Sequence, residues 1–327
     1  MTVASCHLPF AICQLFYSHF CILISRENEL GVVVVLRNTM LIVNPHSGRG
    51  LSRTALGTIV SKLCDSGCSV TIYYVSDRDP QALAYEYAKY HDMAVCVGGD
   101  GTLSSTVSGL LRSGVSIPVG YIPTGTANDV ATTLALSKDL SSAVRTILYG
   151  KPRPLDIGLF DDRYFTYIAA FGAFTGVAYS TPQGAKRALG HFAYVLGGLA
   201  NVFSIKTRRT VIDYDGGSIK GDYIFGGVLN STSVAGLVKL NPKHVDLADG
   251  MFEVILVKQP IGLANLLDTL RRILTNNYDG DNVSMLHTSK ARFTFGEDVE
   301  WTVDGEDGGL HKSVEISNCR EAIKILV

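Results

Sequence analysis

The stretch from Val95 to Thr102 constrains the fold more than any other part of the chain. An apolar run, Met93 to Val97, stops at Gly98, Gly99, Asp100, Gly101 and Thr102; Leu103, Val107, Leu110 and Leu111 then recur at helical spacing. That order reads as a buried strand, a glycine turn and the start of a helix. Glycines permit a tight turn and remove side chains that would hold a ligand off the backbone. The free N–H groups of such a turn, with a helix N-terminus behind them, favour an anion. Asp100 does not fit a pure anion cradle, because a carboxylate beside phosphates calls for a metal ion or a bound hydroxyl. Taken alone, the segment is more simply a strand-to-helix turn. A second motif downstream reverses that balance.

The flanking chain repeats the pattern. Met40 to Val43 reads as a strand, Asn44 to Gly50 as a Gly/Ser loop with one basic residue, and Leu51 to Leu63 as a helix. Strand, small-residue loop and helix is the geometry of a phosphate site, although neither the P-loop nor the G-x-G-x-x-G pattern is present. Ser69 to Val75 is the next strand, Ser76 to Pro80 a turn, and Gln81 to His91 a helix with Pro80 at its start. Ile117 to Ile122 is a further strand, ending in Pro123, Thr124, Gly125, Thr126, Ala127, Asn128 and Asp129. Thr126 can cap a helix or give its hydroxyl to a phosphate or ribose, with Asn128 and Asp129 in the first turn. Asp139 to Tyr149 forms another helix closed by Gly150, and Lys151 to Pro154 reads as a linker. Alternating strands and helices predict a parallel, doubly wound sheet, whose ligands sit at the carboxyl ends of strands. Three polar loops at three such ends are hard to explain by capping alone.

From Leu155 the texture changes to short β-rich runs. They are Leu155–Phe160, Tyr164–Phe171, Thr210–Tyr214, Lys220–Val228, Met251–Lys258, Lys290–Phe295, Glu300–Val303 and Val314–Ser317, with turn signals between many of them. This predicts a second, largely antiparallel domain. Helical stretches interrupt it near Gln183–Ser204 and Ile261–Thr275. The 327 residues leave room for two domains, and a hydrophobic content of 46% is enough for sizeable cores. A net charge of −1 gives no reason to expect a nucleic-acid partner. Seven cysteines without framework spacing point to a reducing compartment; Cys64 and Cys68, one helical turn apart, read as core packing rather than a metal pair. Residues 1–38 look foreign to the rest. The apolar run from Leu8 to Ile24 is broken by Gln14, Ser18 and His19, poor for a membrane span, and no Lys or Arg precedes it as a signal peptide would require. The leader is expected to lie outside the fold; a short membrane-associating segment is the alternative.

Four motifs in order now carry a resemblance: Asn44 to Gly48 (Asn-Pro-x-Ser-Gly), Gly98 to Thr102, Pro123 to Asp129 (Pro-x-Gly-Thr-Ala-Asn-Asp), and Asp304-Gly305-Glu306. Together they resemble the bacterial lipid kinases related to diacylglycerol kinase and, more distantly, sphingosine kinase, from about Met40 to the C-terminus. The resemblance implies a Rossmann-like ATP-binding domain over 39–152, a β-sandwich lipid-binding domain over 153–319, and a last strand near 320–327 that returns to the first domain. It implies that Asn44, Ser47, Gly98, Gly99, Asp100, Gly101, Thr102, Gly125 and Thr126 surround ATP, with Asp100 near a catalytic magnesium ion. Asp304 and Glu306 would sit in the cleft, one of them receiving the proton of the lipid hydroxyl. Asp249, with the backbone carbonyls of Asp246 and Met251, matches a structural magnesium site, and hard oxygen donors suit that ion. From the residues alone, Asp304 to Gly309 is more simply an acidic hairpin turn after the apolar strand Trp301–Val303.

Departures from the family pattern fall at Ser104 and Ser105, where an Asn-Glu pair is common, and at Tyr73 to Ser76, where relatives often offer a nucleotide-contacting threonine. Lys186 and Arg187 could meet phosphates or headgroups, but a solvated helix face is the plainer reading. The expected function is ATP- and Mg2+-dependent phosphorylation of a lipid hydroxyl, diacylglycerol or a related lipid, at the cytoplasmic face of a membrane by peripheral contact. A homodimer is compatible with the sequence. The rivals are an NAD kinase, which shares the Gly-Gly-Asp-Gly-Thr loop, and a nucleotide-binding regulator without turnover.

Overall fold

The computed structural model describes residues 37–48, 50–76, 78–172, 205–234, 238–240 and 245–327. The leader before Arg37, the helical stretch at Gln183–Ser204, and Lys186 and Arg187 lie outside them. The chain is a mixed α/β structure. Its first half runs β1 (Arg37–Val43), α1 (Arg53–Asp65), β2 (Cys68–Tyr74), α2 (Pro80–Tyr87) with a 3-10 turn after it, β3 (Met93–Gly98), α3 (Asp100–Ser113), β4 (Val119–Pro123), α4 (Asp129–Thr133) and α5 (Leu140–Tyr149). The strands pair in parallel in the order β4-β3-β1-β2.

The reason the strands read as unbroken apolar runs is that both faces are covered. Met40, Ile42, Ala94 and Cys96 pack with Leu83 and Ala84 of α2 and Leu103 and Val107 of α3. Their neighbours Leu41, Val43, Val95 and Val97 pack on the other face with Ile59 and Leu63 of α1 and Ala143, Val144 and Ile147 of α5. Each fully buried aliphatic side chain of this kind stabilises the fold by roughly 1.5–3 kcal/mol. The helix starts are set by short polar residues: Ser52 accepts from the N–H of Ala55, Asp79 from Gln81, and Asp139 from Ser142.

The second half adds β5 (Pro152–Phe160), β6 (Arg163–Phe165), β7 (Ile168–Gly172), β8 (Arg208–Tyr214), β9 (Gly217–Leu229), the two-residue strands β10 (Ser233–Val234) and β11 (Val238–Lys239), β12 (Phe252–Lys258), α6 (Gly262–Leu274), β13 (Val283–Thr288), β14 (Lys290–Val303) and β15 (Glu306–Leu326). Apart from one parallel contact these strands pair antiparallel, around an aromatic core in which the Trp301 ring meets Phe160, Phe171, Phe293 and Phe295. The long β15 joins the halves. It pairs antiparallel with β14 and β5, and at Ile325 it pairs in parallel with Val119 of β4. Among the described residues both halves therefore share one hydrogen-bonded sheet of 13 strands.

Several local expectations change. Lys151 to Pro154 is not a linker: Pro152 and Pro154 open β5, paired with Leu326 and Lys324. Proline is tolerated there because that stretch of β5 has a partner on one side only, so no ladder donor is missed. The single strand expected over Tyr164–Phe171 is two strands, β6 and β7, because the N–H groups of Thr166, Tyr167 and Ile168 turn to the Asp304 carboxylate. The runs Lys290–Phe295 and Glu300–Val303 are one strand, β14, with a register shift between Thr294 and Val299. Cys64 and Cys68 do not share a helix face: Cys64 is exposed on α1, and Cys68 is buried at the start of β2.

Candidate active site

Three loops at the carboxyl ends of β1, β3 and β4 close on one another. Asn44 of the first donates through Nδ2 to Thr102 Oγ1 at 2.9 Å, and its Oδ1 accepts the His46 N–H at 3.0 Å. Thr124 of the third donates its N–H to the Gly98 carbonyl at 2.8 Å. Gly99 and Gly125 touch backbone to backbone: a Cβ on Gly125 would stand 2.6 Å from Gly99 Cα, and one on Gly99 would stand 3.2 Å from Ser47 Oγ. A larger residue at position 125 would pry these loops apart. Gly99 is the N-cap of α3 and no side chain caps that helix. An uncapped helix start framed by glycine backbone can hold a polyphosphate.

Asp100 has a structural duty that periodicity could not reveal. It is buried, 8% exposed, and its Oδ2 and Oδ1 accept the N–H groups of Asp129 and Val130 at 2.9 and 3.2 Å. It thereby caps α4 from another element. The capping role foreseen for Thr126 falls to Asp100 because Asn128, the residue before α4, takes a left-handed backbone and makes no side-chain cap; Thr126 is left exposed on the loop. Tyr121 Oη lies 3.5 Å from Asp100 Oδ1. Burial pushes the Asp100 carboxyl up to about 6, against the pull of the two N–H groups, with repulsion from Asp129 and Asp304 added. Ser104 is buried and Ser105 half-buried on α3, both beyond the loop.

The Asp304-Gly305 pair forms the two-residue turn between β14 and β15, with φ of 50° and 78° and Val303 paired to Glu306. Two successive left-handed residues match the type I′ hairpin, for which Asp-Gly is a favoured pair. The hairpin reading of the acidic segment is therefore right about its backbone. The two carboxylates differ sharply. Asp304 is buried, and its Oδ2 accepts from Thr166 N–H at 2.7 Å and Thr166 Oγ1 at 2.9 Å, while Oδ1 accepts from Tyr167 N–H at 3.0 Å and Ile168 N–H at 3.1 Å. All its ordinary acceptor positions are filled. Glu306 is exposed. Its Oε2 pairs with Arg163 Nη2 at 2.7 Å, and Arg163 Nη1 also holds the Asp307 carbonyl at 2.6 Å. Its Oε1 faces α3: a Cβ built on Gly101 would lie 3.4 Å from it. The structure thus brings Glu306 to the helix start that carries Gly98 to Thr102.

The segment Asp246 to Met251 lies elsewhere, against the bend of β15 at Glu321. Asp246 Oδ1 accepts the Ala248 N–H at 3.1 Å and Asp249 Oδ1 the Met251 N–H at 2.8 Å. Asp156, fully buried, bridges this loop to β15 by accepting from Gly250 and Glu321, both at 2.7 Å. Among the described residues no three acidic, His or Cys side chains converge as a metal cage. A cation here would rest on Asp249 and carbonyl oxygens. Two observations fit one: the buried Asn318 Oδ1 has no partner although its Nδ2 holds the Met251 carbonyl at 3.1 Å, and repulsion from Asp249 adds to the burial that raises the Asp156 and Glu253 carboxyls, Glu253 to about 8.

Nothing in the sequence singles out Arg163, Asp156 or Tyr167. Arg163 sits at a hairpin tip beside Asp161 and Asp162, where a basic residue reads as solvated surface.

The profile of the diacylglycerol kinase catalytic domain matches residues 38–160. A diacylglycerol kinase of Bacillus subtilis is 31% identical over 283 residues, 84% of this chain and 91% of the relative. One of Staphylococcus saprophyticus is 33% identical over 284 residues, 84% and 90% of the two chains. The crystal structure of a diacylglycerol kinase of Bacillus anthracis superposes with a TM-score of 0.73 at 23% identity, covering 89% of this chain and 96% of that one.

Proposed function

This chain belongs to the diacylglycerol kinase family, and on that premise we propose that it is a lipid kinase that transfers the γ-phosphate of ATP to a lipid hydroxyl, diacylglycerol first among acceptors. The observation that carries the reading is the approach of Glu306 Oε1 to Gly101 at the start of α3. A carboxylate held beside a polyphosphate loop is where the acceptor hydroxyl must stand.

Phosphoryl transfer asks a protein for positioning and charge stabilisation rather than covalent chemistry. The backbone of the three loops, from Asn44 and Ser47, Gly98 to Thr102, and Gly125 and Thr126, would hold the nucleotide phosphates. Arg163 occupies Glu306 Oε2 and leaves Oε1 turned toward α3, so Oε1 is the oxygen that accepts the lipid hydroxyl proton as the new O–P bond forms and the bond to ADP breaks. Asp304, with both oxygens saturated, shapes the turn that presents Glu306. Asp100 would hold a magnesium ion, which when bound supplies charge neutralisation for the phosphates. Asp249, with the carbonyls of Asp246 and Met251, would hold a second, structural magnesium ion.

We assign the nucleotide to a Rossmann-like domain over 39–152 with the end of β15, and the lipid to a β-sandwich over 153–319. Among the described residues no helix is long and apolar enough to cross a membrane, and we propose peripheral contact with the cytoplasmic face. The relatives give no support to the NAD kinase reading. Incubation of the purified protein with labelled ATP, magnesium, a lipid panel and NAD tests the proposal. Label in a lipid phosphate supports it; label in NADP, or none transferred, refutes it.

A further inference from the structure

Tyr167 stands where the two halves of the molecule meet, and its hydroxyl is free of any role in holding the three loops or the Asp304 turn. Its backbone is fixed on both sides. The N–H donates to Asp304 Oδ1 at 3.0 Å, and the carbonyl accepts the Asn230 N–H at 3.0 Å. The side chain packs against the apolar cluster of α2 and α3 and also against the cluster that includes Ile168 and Leu266 of α6. Its hydroxyl reaches the turn that presents Glu306: a Cβ built on Gly305 would lie 3.2 Å from it.

That position is acidic. Burial comes first, and the carboxylates of Asp304, Asp100, Asp129 and Glu306 then add their repulsion, together holding the phenol well above its ordinary range. The group therefore stays a neutral donor at every working pH. The side chain is half-buried and its hydroxyl is not among the buried polar atoms without a partner, so solvent, or a ligand that displaces it, can reach this donor. Asp304 cannot serve as its acceptor, since four donors already fill its oxygens. Among the described residues the Tyr167 hydroxyl has no hydrogen-bond partner. A solvent-reachable donor against Gly305, next in the chain to a carboxylate whose Oε1 lies against Gly101, complements a molecule that carries both a hydroxyl and an acceptor oxygen.

Resting on the lipid kinase reading, we propose that Tyr167 contacts the acceptor lipid, donating its hydroxyl to an oxygen next to the alcohol that faces Glu306. The pair selects lipids whose free hydroxyl neighbours an acceptor oxygen, such as the ester carbonyl of a diacylglycerol, over simple long-chain alcohols that lack one.

Tyr167→Phe tests this cleanly, because it removes one oxygen that no protein group holds. The assay uses the full chain with ATP and, separately, a 1,2-diacylglycerol and a long-chain primary alcohol in the same detergent micelles. The expected result is a fall of about tenfold in kcat/KM for the diacylglycerol, the loss of one neutral hydrogen bond. The KM for ATP, the rate with the alcohol and the melting temperature should not move. Unchanged diacylglycerol kinetics would overturn the proposal alone. A lowered melting temperature with both acceptors slowed equally would also overturn it, by showing the hydroxyl to be structural. A wild-type protein that phosphorylates neither acceptor would remove the kinase reading beneath it.

Discussion

The carboxylate of Glu306 stands against Gly101, so that a β-carbon added to that glycine would lie 3.4 Å from Oε1. The two residues are far apart in the chain, one at the start of the last strand and one at the start of α3. Their meeting puts a carboxylate at the mouth of the glycine loop, where the proposed phosphoryl transfer needs a proton acceptor. It depends on β15, which pairs with both halves of the sheet, and on Arg163, which orients the carboxylate.

Asp304 should prove to be a stability residue. Three backbone N–H groups and one hydroxyl converge on its carboxylate. Asp304→Asn would set an NH2 group against two of those donors, at a cost of about 1–3 kcal/mol. The melting temperature should fall by roughly 2–4 °C per kcal/mol. A variant that melts with the wild type would show that the four bonds carry no net stability.

Asp100 predicts a pH dependence of opposite sign to that of a salt-bridged carboxylate. Its folded value of about 6 lies above the ordinary 3.8. Between those values the folded state keeps a proton that the unfolded chain has released, so stability falls as pH rises through the window and the loss is complete above about 6. Chemical unfolding of the metal-free protein from about pH 4 to about pH 7 should show this decline, and Asp100→Asn should flatten it. Parallel profiles for the two proteins would contradict the assignment.

Asp249 predicts a metal effect on stability that is separate from turnover. A cation held only by the folded state stabilises it by linkage, about 2.7 kcal/mol at a hundredfold excess over Kd. Magnesium should raise the melting temperature of the wild type above its value in chelator, and Asp249→Ala should abolish most of that rise. Equal responses in the two proteins would leave Asp246 to Met251 as an ordinary turn.

The parts of this molecule that could be read from the sequence are those with local causes. Apolar runs ending in loops of glycine and small polar residues located β1, β3 and β4, because strands covered on both faces have no polar alternation. Asp304-Gly305 declared a hairpin through its backbone preference. What could not be read depends on long-range partners. Asp100 caps α4 from 29 and 30 residues away, and Asp304 takes the N–H groups of residues 136 to 138 positions earlier. The same bonds split the run from Tyr164 to Phe171, which periodicity joins. Pro152 and Pro154 signalled a linker, since nothing local tells an edge strand from a loop. Arg163 looks like any surface arginine until the fold brings Glu306 to it.

The most direct test of the account is Glu306→Gln, assayed for phosphate transfer to diacylglycerol beside calorimetry of ATP binding. The change keeps the shape of the side chain and removes the charge that lets it accept a proton. Turnover should fall by about two to four orders of magnitude, the range lost with a general base, while ATP affinity and the melting temperature stay at wild-type values. Wild-type turnover in Glu306→Gln would contradict the claim that this carboxylate, set against Gly101, receives the proton of the lipid hydroxyl.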